Sequence, residues 1–290
     1  MTAMTRILAS TEPAISEADY AKFCDFFYRQ TGISFGTNKQ YFVDKRLIER
    51  IQKTGTENFS RYFAGLKRSD STAEFEQLIN LLTVNETYFF REDHQFDCMA
   101  QHILPEIAAR KRKGERLRIW SMPCSTGEEP YSIAIFLLEK FKAVDDFDIE
   151  IIGSDIDTNV LAAARRAVYE KRALHRLSHT LVQRYFNALP DDKFRLSETL
   201  RDSVRFTQVN CTEGPAMRPY TNIDLIFCRN MLIYFDDKSR LTAAQHFYDC
   251  LTPGGFICLG HSESMARISA IFAPRSFPQG MVYQKPHGGR

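Results

Sequence analysis

The sequence is poor in the features that mark secreted, membrane-spanning or phosphate-cradling proteins. Its seven cysteines (Cys24, Cys98, Cys124, Cys211, Cys228, Cys250 and Cys258) are odd in number and show no Cys-x-x-Cys spacing. That excludes a closed disulfide frame or a thiolate zinc cage and fits a reducing compartment. No run approaches the roughly 20 apolar residues that a bilayer span needs. No basic-then-apolar leader opens the chain, so a cytoplasmic location is expected. Net charge is only +2, from 38 basic and 36 acidic residues, which argues against a general nucleic-acid binder. No Gly-x-Gly-x-x-Gly follows an apolar strand, so a dinucleotide-linked oxidoreductase lacks its phosphate loop. Repeats and low-complexity tracts are also missing. The single tryptophan, Trp120, reads as packing beneath a loop.

What is present suffices for a full core: 290 residues, 44% of them hydrophobic, enough for two domains. Residues 16–83 carry helical punctuation. Ser16 can cap a first helix with Phe23, Phe26 and Phe27 inward, and Gly32 stops it. A second helix is expected over 38–54, with Val43, Leu47 and Ile51 stacked and Gly55 past its end. Two shorter helices follow, near 57–66 and 73–82. From about residue 117 the pattern changes to apolar strands at 117–121, 149–154, 204–209, 223–228 and 255–260. Helices are expected between them at 129–141, 158–168, 238–251 and 265–271, and a last strand near the end. Strand–helix alternation predicts an α/β fold, a doubly wound and mostly parallel sheet with helices on both faces. A break in the spacing between 168 and 204 reads as a small inserted β subdomain, about 169–203. The domains expected are a helical one over 12–83, a linker over 84–98 that contributes to the site, and the sheet domain over 99–286.

The most informative stretch is Cys124-Ser125-Thr126-Gly127-Glu128-Glu129-Pro130, following the strand that ends at Ser121. Loops at the carboxyl ends of such strands bind ligands. Two carboxylates here would repel a nucleotide phosphate and welcome a cofactor with hydroxyls and a positive centre. Asp155, after the second strand, stands where an acid binds ribose hydroxyls, and Asn210, after the third, would lie near a purine base. Asp155 or Asp157 could equally cap a helix, and Asn210 could serve a turn. Gly260-His261-Ser262-Glu263-Ser264 lacks the second glycine of a nucleophile elbow. His175 and His179 have helical ligand spacing without an acid to complete a set, and no metal is expected.

Five segments together carry a resemblance. Residues 83–92 (Thr-Val-Asn-Glu-Thr-Tyr-Phe-Phe-Arg-Glu), 124–134, 154–157 (Ser-Asp-Ile-Asp), 226–235 (Ile-Phe-Cys-Arg-Asn-Met-Leu-Ile-Tyr-Phe) and 260–264 resemble, in order, the chemotaxis receptor methyltransferases, the CheR family. The resemblance spans about residues 16–285. It implies a class I methyltransferase-like enzyme that moves a methyl group from S-adenosylmethionine to glutamate carboxylates on chemoreceptor cytoplasmic helices, leaving S-adenosylhomocysteine. It implies that Asn85, Thr87, Arg91, Glu129, Asp155, Asn210, Cys211, Arg229 and Asn230 line the cofactor site. Arg91 and Tyr234 would sit nearest the transferred methyl. A basic second helix, here with Arg46, Arg50 and Lys53, would dock on the receptor, although Glu49 and Gln52 interrupt its charge. The turn over 187–193 has no glycine, which points to independence from a receptor tail peptide. The other readings are a non-catalytic cofactor sensor and a methyltransferase acting on amines or a small acid. A glutamate acceptor, with a reference pKa near 4.3, is already ionised at neutral pH and needs no general base.

Overall fold

The computed structural model describes residues 15–68 and 70–288. They form two units that divide between Leu82 and Thr83, so residues 12–14 of the expected helical domain lie outside the described residues. In the first unit, α1 (Glu17–Thr31) begins where Ser16 Oγ accepts the Asp19 N–H. It ends at Gly32, whose φ of 75° carries its N–H to the Tyr28 carbonyl. Then come α2 (Gln40–Lys53), α3 (Phe59–Leu66) and α4 (Thr72–Leu82). Phe23 and Phe27 are buried, and Phe26 meets Phe63 and Phe75 edge-on at 5.5 Å each.

The cations of α2 are largely engaged within this unit. Arg50 Nε donates to Glu74 Oε1 at 2.9 Å and Nη2 to Oε2 at 2.5 Å, while the Tyr62 hydroxyl donates to the same carboxylate. Arg46 Nε donates to the Leu81 carbonyl at 3.0 Å, and its guanidinium lies over the Phe42 ring. Both arginines therefore tie α2 to α4. Lys53 pairs with the exposed Glu49, one helical turn back.

The second unit opens with a continuous helical stretch: α5 (Asp93–Cys98), a π turn (Met99–Ile103) and α6 (Leu104–Ala108). The chain continues through β1 (Arg116–Ser121), α7 (Glu128–Lys140), β2 (Asp148–Asp155), α8 (Thr158–Arg166), β3 (Val168–Glu170), α9 (His179–Tyr185), β4 (Phe186–Leu189), β5 (Lys193–Leu196), α10 (Glu198–Asp202) and β6 (Val204–Gln208). It ends with α11 (Gly214–Met217), β7 (Ile223–Cys228), α12 (Asp237–Cys250), β8 (Leu251–Leu259), β9 (Ala273–Phe277) and β10 (Gly280–Gln284). The main sheet runs β6-β2-β1-β7-β8-β10-β9, parallel from β6 to β8 and antiparallel for the last two strands. Every residue of β7 is buried, as a central strand covered on both faces requires. Trp120 packs as expected, stacked on Tyr220 at 4.3 Å with its indole N–H donating to Ser154 Oγ.

Strand order reverses between β1 and β7, which places the ligand crevice at their carboxyl ends. The inserted segment forms an antiparallel sheet, β3-β5-β4. Its glycine-free turn reaches left-handed backbone through Asp191 (φ 60°) and Asp192 (φ 52°). Three expectations change. The helix expected over 265–271 is a single 3-10 turn, Met265–Arg267. The helical stretch over 93–108 and the strands β3, β4 and β9 were not anticipated. β9 is an edge strand containing Pro274, and its alternating, partly exposed residues give a weak apolar signal.

Candidate active site

A cavity opens at the switch point. Its walls come from Asn85, Thr87 and Arg91 on the segment before α5, Ser125 and Glu129 after β1, Asp155 after β2, and Arg229 with Asn230 after β7. Seven expected site residues are thus brought together. The other three stand behind or beside the walls. Asn210 turns its Oδ1 to the Thr212 N–H and hydroxyl, and Cys211 is buried with its Sγ 3.9 Å from Met231 Sδ. Tyr234 lies within the electrostatic reach of Arg91, Glu86 and Glu263.

The backbone at this cavity is held in conformations that L-residues seldom adopt. Phe90, Glu92, Ser125 and Asn230 are four of the eight non-glycine residues with positive φ among the described residues. Such strain gathers where surrounding contacts over-determine a loop. The contacts here are visible. Asp155 Oδ2 accepts the Ser125 N–H at 2.8 Å, and its Oδ1 accepts the Asp157 N–H. Glu263 holds the loop after β7, its carboxylate accepting the N–H groups of Asn230, Leu232 and Gly260. A Cβ on Gly260 would meet Asn230 Nδ2 at 2.9 Å, so that close approach requires glycine. Asp157 caps α8 through Oδ1, and its Oδ2 accepts from Thr83 and Asn85. Asn85 therefore serves as a tie as well as a wall.

Arg229 is the centre of charge. Its side chain is only 2% exposed and lies between two carboxylates: Nη1 donates to Glu129 Oε2 at 3.0 Å and Nη2 stands 3.3 Å from Glu92 Oε2. Nη2 also donates to the Arg91 carbonyl, and the guanidinium lies over the Phe96 ring at 5.6 Å. Burial alone would raise Glu92, but Arg229 and His261 hold it below the usual carboxylate range. For Glu129, burial outweighs Arg229 and the Ser121 hydroxyl, and its pKa is raised. Arg229 is thus shared between two acids, with His261 as a further partner of Glu92. Sequence reasoning passed over Glu92 and Glu263, although both lie inside motifs quoted for the resemblance.

Three further groups define the chemistry. Burial raises Asp155 to about 6 despite its backbone donors. Tyr234 is raised by burial, against the opposing charge of Arg91, so its phenol stays protonated and can donate a hydrogen bond. Burial pushes Cys124 and Cys228 well above their ordinary value and Cys211 up to about 12. These are buried thiols, not nucleophiles, and of the three Cys124 lines the cavity.

Comparison with known proteins decides the family. The model for the CheR methyltransferase all-alpha domain matches residues 18–83, and that for the CheR methyltransferase SAM binding domain matches residues 85–280. The chain belongs to the CheR methyltransferase family. It is 47% identical to chemotaxis protein methyltransferase 2 of Vibrio cholerae, the match covering 96% of each chain. It is 37% identical to the chemotaxis protein methyltransferase of Salmonella typhimurium (90% of this chain, 89% of that one) and 34% identical to that of Escherichia coli (90% of each). This CheR-family methyltransferase thus has the S-adenosylmethionine-binding domain that its loops suggested. The residues fit that cofactor: Ser125 Oγ and Arg229 Nε are buried without partners, and Asp155 and Glu129 offer acceptor carboxyl groups on the cavity wall. No helix among the described residues is long and apolar enough to cross a membrane.

Proposed function

We propose that the protein methylates glutamate side chains of chemoreceptor cytoplasmic helices, giving methyl esters. The observation that carries this reading is Arg91 on the cavity wall with the Tyr234 phenol, kept protonated by burial, within reach of its charge. The pair can orient a carboxylate through one oxygen and leave the other free. The cofactor supplies an electrophilic methyl group. Asp155 would accept from its ribose hydroxyls, while Glu129 and the Arg229 cluster would face its zwitterionic amino-acid end. Ser125 and Thr87 would complete the wall. Arg91 donates from Nη1 to the Glu86 carbonyl at 2.7 Å, which leaves its other nitrogens for an acceptor. A tighter clamp would favour the charged ground state over the charge-dispersed transition state, so Arg91 works as an organiser. Positioning and exclusion of water are what the protein must provide.

The deciding experiment combines methyl-labelled cofactor with a receptor cytoplasmic fragment and then applies mild alkali. A carboxyl ester releases volatile methanol, whereas label retained in the protein would indicate an amine acceptor and overturn the assignment. Because the acceptor is already ionised, kcat at saturating cofactor should be flat from about pH 6 to 8. The cofactor term should not be flat. As pH falls through about 6, Asp155 gains a proton and loses charge-assisted acceptance, so the cofactor KM rises on the acid side. Calorimetry near that pH should show proton release on binding as a buffer-dependent enthalpy. A bell-shaped kcat centred in that range would contradict this account.

Docking through α2 is part of the same proposal, with Arg46, Arg50 and Lys53 as the contacting cations. Because Arg50 is matched by Glu74, Arg50→Glu should lower unfolding free energy by roughly 2–4 kcal/mol, confounding any receptor measurement. Lys53→Glu should leave the thermal midpoint unchanged while raising the receptor KM. A stable Arg50→Glu protein in a melting experiment would show that the pair contributes little. We also propose that activity needs no receptor tail peptide.

A further inference from the structure

One carboxylate joins the loops that leave the neighbouring parallel strands β7 and β8. Glu263 Oε2 accepts the Asn230 N–H at 2.8 Å and the Gly260 N–H at 2.9 Å, and its Oε1 accepts the Leu232 N–H at 2.7 Å. Its own turn keeps it in place, the Glu263 N–H donating to the Gly260 carbonyl at 2.9 Å. Asn230 and Gly260 lie beyond the last paired residues of the two strands, Cys228 and Leu259, so the sheet ladder offers their N–H groups no partner. What the clamp orients is the 3-10 turn Leu232–Tyr234. The backbone of the buried Leu232 is gripped on both sides, its N–H by Glu263 and its carbonyl by Arg240 Nε of α12 at 2.9 Å. Tyr234 stands at the other end of that turn, its N–H on the Met231 carbonyl at 3.0 Å. The same carboxylate fixes Asn230, on the wall of the cofactor cavity, with its left-handed φ of 58°. One side chain outside that wall thus sets the span from Asn230 to the phenol.

We infer that Glu263 is a positioning residue for methyl transfer, fixing Tyr234 against the cofactor wall and acting on the reaction through that phenol. The inference deepens the proposed glutamate methylation and rests on the role given there to Tyr234. Glutamine at this position tests it, because an amide has a single acceptor oxygen and its nitrogen only donates. Turning that oxygen to Asn230 and Gly260 keeps two bonds and sets the amide nitrogen against the Leu232 N–H; the reverse orientation keeps only one. Glu263→Gln therefore loosens the Tyr234 turn and spares the Asn230 side. With a receptor cytoplasmic fragment and saturating cofactor it should lower kcat about 30-fold, while affinity for S-adenosylhomocysteine stays within about three-fold of the parent. In a Tyr234→Phe background the same substitution should cost less than about three-fold, since the hydroxyl it positions is gone. A merely structural role would act equally in both backgrounds. Equal losses there, or a kcat within about three-fold of the parent, would overturn the inference. So would a ten-fold or larger loss of S-adenosylhomocysteine affinity, which would place Glu263 on the cofactor's side. A second readout needs no acceptor. In protein carrying ring-labelled tyrosine, the Tyr234 resonances should move or broaden in Glu263→Gln while those of the buried Tyr131 stay fixed. An unmoved Tyr234 would sink the positioning role whatever the enzyme methylates. A shifted Tyr234 with a fully active Tyr234→Phe enzyme, or with no transfer by the parent to any receptor fragment, would instead sink the acceptor reading and leave the clamp standing.

Discussion

Replacing Arg229 by methionine should lower unfolding free energy by about 3–5 kcal/mol at pH near 7.5, the usual cost of removing one partner from a buried ion cluster. Methionine fills much of the guanidinium volume against Phe96, so the loss reports charge more than cavity formation. Glu92 and Glu129 would then face each other across a buried space with no cation between them. Both carboxyls would take up protons more readily folded than unfolded. A raised acid pKa makes stability fall as pH rises from the unfolded value, near 4.3, towards the folded one. The variant's deficit should therefore shrink in denaturation at about pH 5.5, where protonation relieves the repulsion. Adding Glu129→Gln should restore a substantial part of the loss, a coupling that a double-mutant cycle would measure. A deficit under 1 kcal/mol that does not change with pH would show that the cluster is not the electrostatic centre described.

Asp155→Ala should weaken S-adenosylhomocysteine binding by at least 100-fold. Hydrogen bonds to a charged partner contribute about 1.5–3 kcal/mol each, and a ribose offers two hydroxyls to one carboxylate. The same substitution removes the acceptor that holds the Ser125 N–H, so the loop over 124–127 loses one of its tethers. Fold stability should change far less, because the lost bonds are offset by no longer burying an ionised acid at neutral pH. Asp155→Asn keeps one acceptor oxygen and should fall between the two. Calorimetry showing less than a five-fold change for Asp155→Ala would remove this residue from the cofactor site.

Much of this arrangement was legible in the chain, for identifiable reasons. Buried parallel strands have to be continuous apolar runs, and Ile223–Cys228 shows one undiluted. The carboxylates after β1 stood where a phosphate would be repelled, and Asp155 after β2 where ribose hydroxyls are bound. The helical stretch over 93–108 escaped despite helical spacing of Phe96, Met99, Ile103 and Ile107, because Pro105 inside it reads as a breaker. In the structure Pro105 falls in the first turn of α6, just after the π turn, where a missing N–H costs little. The internal pairing of Arg46 and Arg50 was invisible for another reason. A stripe of arginines looks the same on one helix whether it meets solvent or another helix, and Glu74 lies 24 residues from Arg50. Asn210 was placed by strand order and by the resemblance, and Cys211 by the resemblance alone; both locate a loop but not the direction of its side chains.

The segment before α5 is fastened from two sides, the Phe89 N–H on the Ala173 carbonyl of the inserted region and the Phe90 N–H on the Ser132 hydroxyl of α7. Between those two pegs it is part of the masonry, not a flap. The width of the opening beneath it is then fixed when the chain folds. A substitution that displaces Ala173 would re-cut the entrance from outside, without replacing any residue of its lining.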